Sequence, residues 1–268
     1  MASSALPVHQ IWGGGATTIF LFHGMYGARQ YWQPEAERLV ALGYRVVAWD
    51  APGYGVAPGP LPSPYTLDAL AEEASRLVEA TASETNIVMG QSMGGQLCFR
   101  IFARIPQRIR AVVICATIGY FGNKTPEERA AFVREREEAA KVTDASARKA
   151  LVDQMLAPGA SGPDVDLVRE VTATTPAATT AAAVAAVQSA NEEASIAAIR
   201  GVTVPALIVA GALDNVGSPS AMKRVADMMP NASFVAIGGC GHYPWAENPT
   251  EFNERLFPFL ASVAPIKA

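Results

Sequence analysis

From residue 18 to residue 115, short runs of β-branched and aromatic residues alternate with longer segments in which apolar positions recur every three or four residues. Residues 18–22, 45–49, 86–89 and 109–115 read as strands, with helices between them at 31–42, 67–81 and 93–104. The strand runs are almost unbroken in apolar character, which predicts a sheet covered by helices on both faces. Regular alternation of the two element types predicts parallel strands joined by crossover helices. This rhythm stops after Ala116. Residues 125–200 are rich in Ala, Glu and Arg, show no convincing strand, and read as inserted helices. Thr125 offers a cap, Pro126 suits a first turn, and Glu127 and Glu128 favour a helix start. A second helix is expected near Asp144. Alternation then resumes, with strands at 206–210 and 234–237 and helices at 219–228 and 250–263. The expected fold class is α/β, a mostly parallel central sheet flanked by helices. Residues 1–117 and 204–268 form its core, and a helical insertion at 118–203 interrupts it.

Composition narrows the function classes. The chain has 268 residues, half of them hydrophobic, which suits one large domain because single α/β domains routinely reach ~250 residues. Its formal net charge is −4, and Lys and Arg are scattered without a basic face, so nucleic acid is not an expected partner. The start MASSALPVHQIW lacks the cationic and apolar stretches of an export signal. No run approaches the ~18 apolar residues of a membrane span. Cys98, Cys115 and Cys240 are widely spaced and form no CxxC pair, which fits a reducing cytoplasm. The histidines lack metal-ligand spacing, and GGGA at 13–16 lacks the rest of a dinucleotide site. No cofactor is expected, only a small-molecule substrate; a homo-oligomer remains open.

The chemistry-bearing motif is GQSMGG, residues 90–95, between a predicted strand and a predicted helix. A sharp strand-to-helix turn exposes the serine, and glycines around Ser92 leave it room. Alone, this is also how an ordinary glycine-rich turn would look. A serine hydroxyl needs a base. Of the three histidines, His9 precedes the core strands and His23 ends one, where packing is its expected use. His242 stands in the glycine-rich loop GGCGHYPW after the last strand. A carboxylate must fix the imidazole, and Asp214 follows the strand ALIVAG. Asp214 alone reads equally as a turn former, but the order Ser, Asp, His is the one such an elbow requires. Asp50 and Glu247 read as structural. Oxyanion donors are expected at the amides of Met93 and Met25, with Tyr26 a weaker choice for the second.

HGMYG, DAPGYG, GQSMGG, GALDNVGSP and GCGHYPWAENP together resemble the ordered motifs of the α/β-hydrolase superfamily. Closer likeness is to enol-lactone hydrolases and related small-molecule catabolic hydrolases, including those of aromatic and heterocycle breakdown. The resemblance implies a cofactor-independent serine hydrolase with Ser92 as nucleophile, His242 as base and Asp214 as acid. Its expected substrate is an ester or enol lactone of a small carboxylated metabolite, with amide or carbon–carbon cleavage as the alternative. The same scaffold also hosts ligand-binding receptors that keep the three residues. The resemblance also implies that the insertion at 118–203 is a helical cap lining the pocket, and Tyr26, Tyr120, Arg134, Arg136 and Trp245 are the expected substrate contacts. Arg129 and Arg148 are further cap arginines, and one of the four is expected to clamp the substrate carboxylate.

Overall fold

The computed structural model describes residues 5–56, 61–117 and 144–266, together with 125, 127–128, 130–131, 134–135, 138 and 141–142. Among these, seven strands form one sheet: β1 (His9–Trp12), β2 (Thr17–Phe22), β3 (Arg45–Trp49), β4 (Thr85–Gln91), β5 (Ala111–Cys115), β6 (Ala206–Gly211) and β7 (Ala232–Ile237). Their spatial order is β1-β3-β2-β4-β5-β6-β7, with β1 antiparallel and the others parallel. Successive side chains of a strand point to opposite faces. Phe20, Phe22, Val88, Val112 and Ile114 therefore enter one buried cluster, and Ile19, Leu21, Ile87, Met89 and Val113 the other.

Helices cover both clusters. Leu70, Ala74 and Leu77 of α2 (Leu67–Thr81) and Leu97 and Ile101 of α3 (Met93–Arg104) pack in the first. Ala36 and Leu39 of α1 (Gln33–Ala41) lie in the second, joined from the chain's end by Phe252, Leu256 and Leu260 of the helix Pro249–Val263. Between β5 and β6 the chain inserts α4 (Ala145–Asp153), α5 (Pro163–Thr174), α6 (Ala177–Gln188) and α7 (Glu192–Arg200). The described residues from 127 to 138 are also helical. Thr125 and Glu128 exchange bonds there, the threonine hydroxyl accepting from the Glu128 amide and the glutamate from the Thr125 amide, a reciprocal cap at the helix start. α8 (Pro219–Asp227) and a short turn, α9 (Pro244–Glu247), precede the final helix, α10.

Register brings the site together. Phe22 lies opposite Gly90, Gln91 opposite Cys115, and Gly211 opposite Ile237, so β2, β4, β6 and β7 end along one edge. Strand order reverses between β2 and β4, and in open parallel sheets a crevice forms at the carboxyl ends beside such a reversal. The loop that starts at His23 and the turn at Ser92 flank that crevice.

Candidate active site

Ser92 sits between β4 and α3 with φ of 54° and ψ of −117°, a conformation an L-residue keeps only when its surroundings enforce it. Its amide donates to the Cys115 carbonyl at 2.9 Å, and its own carbonyl accepts the Thr117 hydroxyl at 2.8 Å. The flanking glycines are required by close backbone approach. A Cβ at Gly90 would lie 2.2 Å from the Gly94 carbonyl oxygen, and one at Gly94 would lie 2.1 Å from the Phe22 carbonyl oxygen.

Asp214 follows β6, buried and fully engaged. One carboxylate oxygen accepts from the amides of Val216 and Gly217 at 2.7 and 3.0 Å. The other is 2.9 Å from His242 Nδ1. Burial pushes this carboxyl up, but the His242 charge and hydrogen bond together with the two amides outweigh it and hold Asp214 below the ordinary carboxylate range. An ionised carboxylate only accepts, so the proton of neutral His242 resides on Nδ1 and Nε2 keeps its lone pair.

The loop carrying His242 is held by Glu247 and by the insertion. Glu247 accepts from the amides of Gly241 and Tyr243, both at 2.9 Å, and from Ala157 at 2.7 Å. The His242 amide donates to the Met155 carbonyl at 2.8 Å. Across the crevice, the Gly24 carbonyl accepts from His23 Nδ1 at 2.8 Å and from the Gly27 amide at 3.0 Å. Peptide planarity then fixes the direction of the Met25 N–H. His23 is fully buried, and its Nε2 accepts from the Ala51 amide at 3.0 Å. Asp50 pairs with the Arg29 guanidinium and accepts from the Arg29 and Val56 amides. Both side chains are thus spent on structure.

Ser92, His242, Met25, Tyr26 and Met93 line one cavity. Gln91, Gln96 and Tyr243 add polar edges, while Met155 and Val187 from the insertion and Val216 complete its apolar wall. The pocket offers about 40 Å³ of free space, room for roughly three waters at ~10–15 Å³ each. Sequence reasoning missed Gln91, although it touches the serine in the motif, and Met155, whose helical neighbourhood carries no chemical signal.

The remaining expected contacts fall elsewhere. Trp245 is fully buried, stacked on Tyr31 with ring centroids 5.0 Å apart and 4.5 Å from Trp32. It is a core residue, because the chain enters α9 immediately after Tyr243, and Tyr243 holds the pocket place expected of it. Arg134 is exposed on its helical segment. Tyr120, Arg129 and Arg136 lie outside the described residues. Arg148 is buried and donates to the carbonyls of Val142 and Thr175, two ties within the insertion. Among the described residues, no three His, Cys, Asp or Glu side chains are grouped to hold a metal ion, and no helix is long and apolar enough to cross a membrane.

A family model described as alpha/beta hydrolase fold matches residues 17–249. The protein named "Putative carbamate hydrolase RutD" from Variovorax paradoxus is 25% identical, covering 97% of this chain and 98% of its own length. The pimeloyl-(acyl-carrier protein) methyl ester esterase of Pectobacterium atrosepticum is likewise 25% identical, covering 92% and 95%. Among solved structures, the enol-lactonase from Burkholderia xenovorans LB400 superposes with a TM-score of 0.79 at 23% identity, over 94% of this chain and 95% of that one. That last likeness speaks to the fold alone.

Proposed function

Since the chain belongs to the alpha/beta hydrolase fold family, we propose that it is a serine hydrolase cleaving a small ester or lactone through an acyl-enzyme on Ser92. The observation that carries this reading is the Asp214–His242 bond at 2.9 Å, with His242 and the strained Ser92 lining the same cavity. His242 Nε2 takes the Ser92 proton as Oγ attacks the carbonyl carbon, and then returns it to the leaving oxygen. Asp214 fixes the tautomer and stabilises the imidazolium. The amides of Met93 and Met25 bind the oxyanion. Supporting Met93 is its place as the first residue of α3, where helix geometry leaves the N–H without an intrahelical partner and the dipole favours negative charge. A water then attacks the acyl-enzyme with His242 as base, releasing the acid and restoring Ser92. The inserted helices act as a cap over residues that bind substrate.

Met155, Val187 and Val216 on the cavity wall favour a short acyl portion with apolar surface. The expected arginine clamp finds no support in Arg134 or Arg148. The relative named for carbamate hydrolysis favours a second reading, cleavage of a C–N bond with the same residues.

A screen of short-chain esters, lactones, amides and carbamates with Ser92→Ala as blank decides between them. A phosphonate reagent should label Ser92 in the mass spectrum. Turnover should fall several orders of magnitude in Ser92→Ala, and by roughly 10⁴-fold in Asp214→Asn, which permits the wrong tautomer. Retained activity in Ser92→Ala would reject the mechanism, and stoichiometric ligand binding without turnover would point to a receptor.

A further inference from the structure

The residues assigned to chemistry do not account for a file of buried hydrogen bonds linking the three loops that carry them. The Gly24 amide donates to the Tyr31 hydroxyl oxygen at 2.6 Å, the Tyr31 hydroxyl donates to Gln91 Oε1 at 3.3 Å, and Gln91 Nε2 donates to the His242 carbonyl at 3.1 Å. A backbone N–H only donates and a backbone carbonyl only accepts, so the phenol and the carboxamide between them have one consistent orientation. Tyr31 and Gln91 are each about 1% exposed, and in a dry interior such a file strengthens cooperatively.

We propose that Tyr31 and Gln91 are positioning residues that tie the loop after β2 and the histidine loop after β7 to the serine turn after β4. The proposal rests on the serine-hydrolase reading, in which the first loop supplies an oxyanion donor and the second the base. Gln91 is the residue next to Ser92, so both ties converge on the nucleophile's own strand. Space around the file is filled closely. A Cβ at Gly24 would lie 2.3 Å from Gln91 Oε1, and one at Gly27 would lie 1.9 Å from the Tyr31 ring. Stacking on Trp245 holds that ring from another side. Burial raises the Tyr31 phenol well above its ordinary range, which keeps it a donor at neutral pH. Breaking the file at either member lets the donor loop or the base loop drift from Ser92, an error felt in the reaction step more than in substrate capture.

The test uses Tyr31→Phe, Gln91→Met and the double variant, each replacement keeping approximate shape. With an activated short-chain ester, kcat should fall on the order of 10- to 100-fold in each single variant, while KM stays within about threefold. The double variant should lose no more than the worse single one, because a broken file cannot be broken again. Hydrogen exchange should accelerate at the Gly24 amide in Tyr31→Phe and across residues 241–243 in Gln91→Met. Unchanged kcat, losses that multiply in the double variant, or unchanged exchange at these amides would overturn the proposal. Exchange is read without turnover. Activity surviving in Ser92→Ala would therefore reject the hydrolase mechanism separately, with the exchange result still deciding the positioning role.

Discussion

At Gly94 an added methyl group would meet the Phe22 carbonyl oxygen at 2.1 Å and the His23 carbonyl oxygen at 2.8 Å. Both are backbone atoms of the strand end that starts the donor loop, so no rotamer change relieves the contact. Gly94→Ala should cost about 3 kcal/mol or more, at or above the usual range for overpacking. Gly14→Ala, where nothing lies within 4 Å, should be neutral to about 1 kcal/mol stabilising through the unfolded chain. Urea midpoints of the two variants check this, and equal shifts would refute the steric account. Legibility at this scale follows chemical type. Ser92, His242 and Asp214 stand out in the sequence because each is a reactive side chain at the end of an apolar run. Tyr31 and Gln91 read as packing, since a phenol or carboxamide inside such a run declares nothing until its partners, 7 and 151 residues away, are known. Trp245 misleads for the opposite reason: a large aromatic beside His242 resembles a pocket wall, yet α9 turns it into the core.

Elements were legible where burial is two-sided. β3, α2 and α3 run over the residues expected from their apolar pattern, and the other parallel strands differ by a few residues at their ends. β1 was not anticipated. HQIW is four residues long, pairs on one side only, and shows no alternation, its two middle residues being exposed and its two ends half-buried. The helix expected from residue 31 begins instead with a 3-10 turn, Arg29–Trp32, which places Tyr31 among the site loops before α1 starts at Gln33. In the insertion, Asp144 caps α4 by accepting from the Ala147 amide. What its sequence did not disclose is the task of Arg148, which joins α4 to the residue after α5 through the Thr175 carbonyl. Thr175 and Thr172 in turn donate hydroxyls to the Tyr26 carbonyl in the donor loop. Arg148→Met strands two carbonyl acceptors, one of them fully enclosed, at a cost of about 1–3 kcal/mol. Limited proteolysis between residues 142 and 176 should accelerate. The rate ratio for a carboxylated ester and its neutral methyl ester should stay as in wild type, and a change in that ratio would return Arg148 to the substrate.

Over the whole molecule, buried ionisable groups couple the site's architecture to stability, and their signs differ. Burial lowers the His23 pKa below its ordinary 6.5, with the Gly24 carbonyl and the Asp50 charge opposing only in part. A second proton would also remove the acceptor that receives the Ala51 amide. The unfolded chain therefore binds more protons than the folded one just below pH 6.5, and stability falls as pH falls through that window. Asp214 is also depressed, from 3.8. Its contribution is intact above that value and is lost only in stronger acid. Glu35 acts the other way. Burial raises its carboxyl above 4.5 against the pull of Asn253 and Arg38, so its contribution is full below 4.5 and declines as pH rises. The wild-type curve between about pH 4.5 and 6.5 is thus a competition, and its raw slope does not isolate either group. Subtracting His23→Gln does. That variant should be less stable at pH 8, where the neutral imidazole makes both its bonds, and the deficit should shrink as pH falls below 6.5. The difference can change by no more than about 1.4 kcal/mol per pH unit for one proton. Urea midpoints of both proteins at half-unit intervals from pH 8 to 4.5 measure it. A deficit constant across that range would show that His23 does not carry the linkage and that its ring contributes to the donor loop by packing alone.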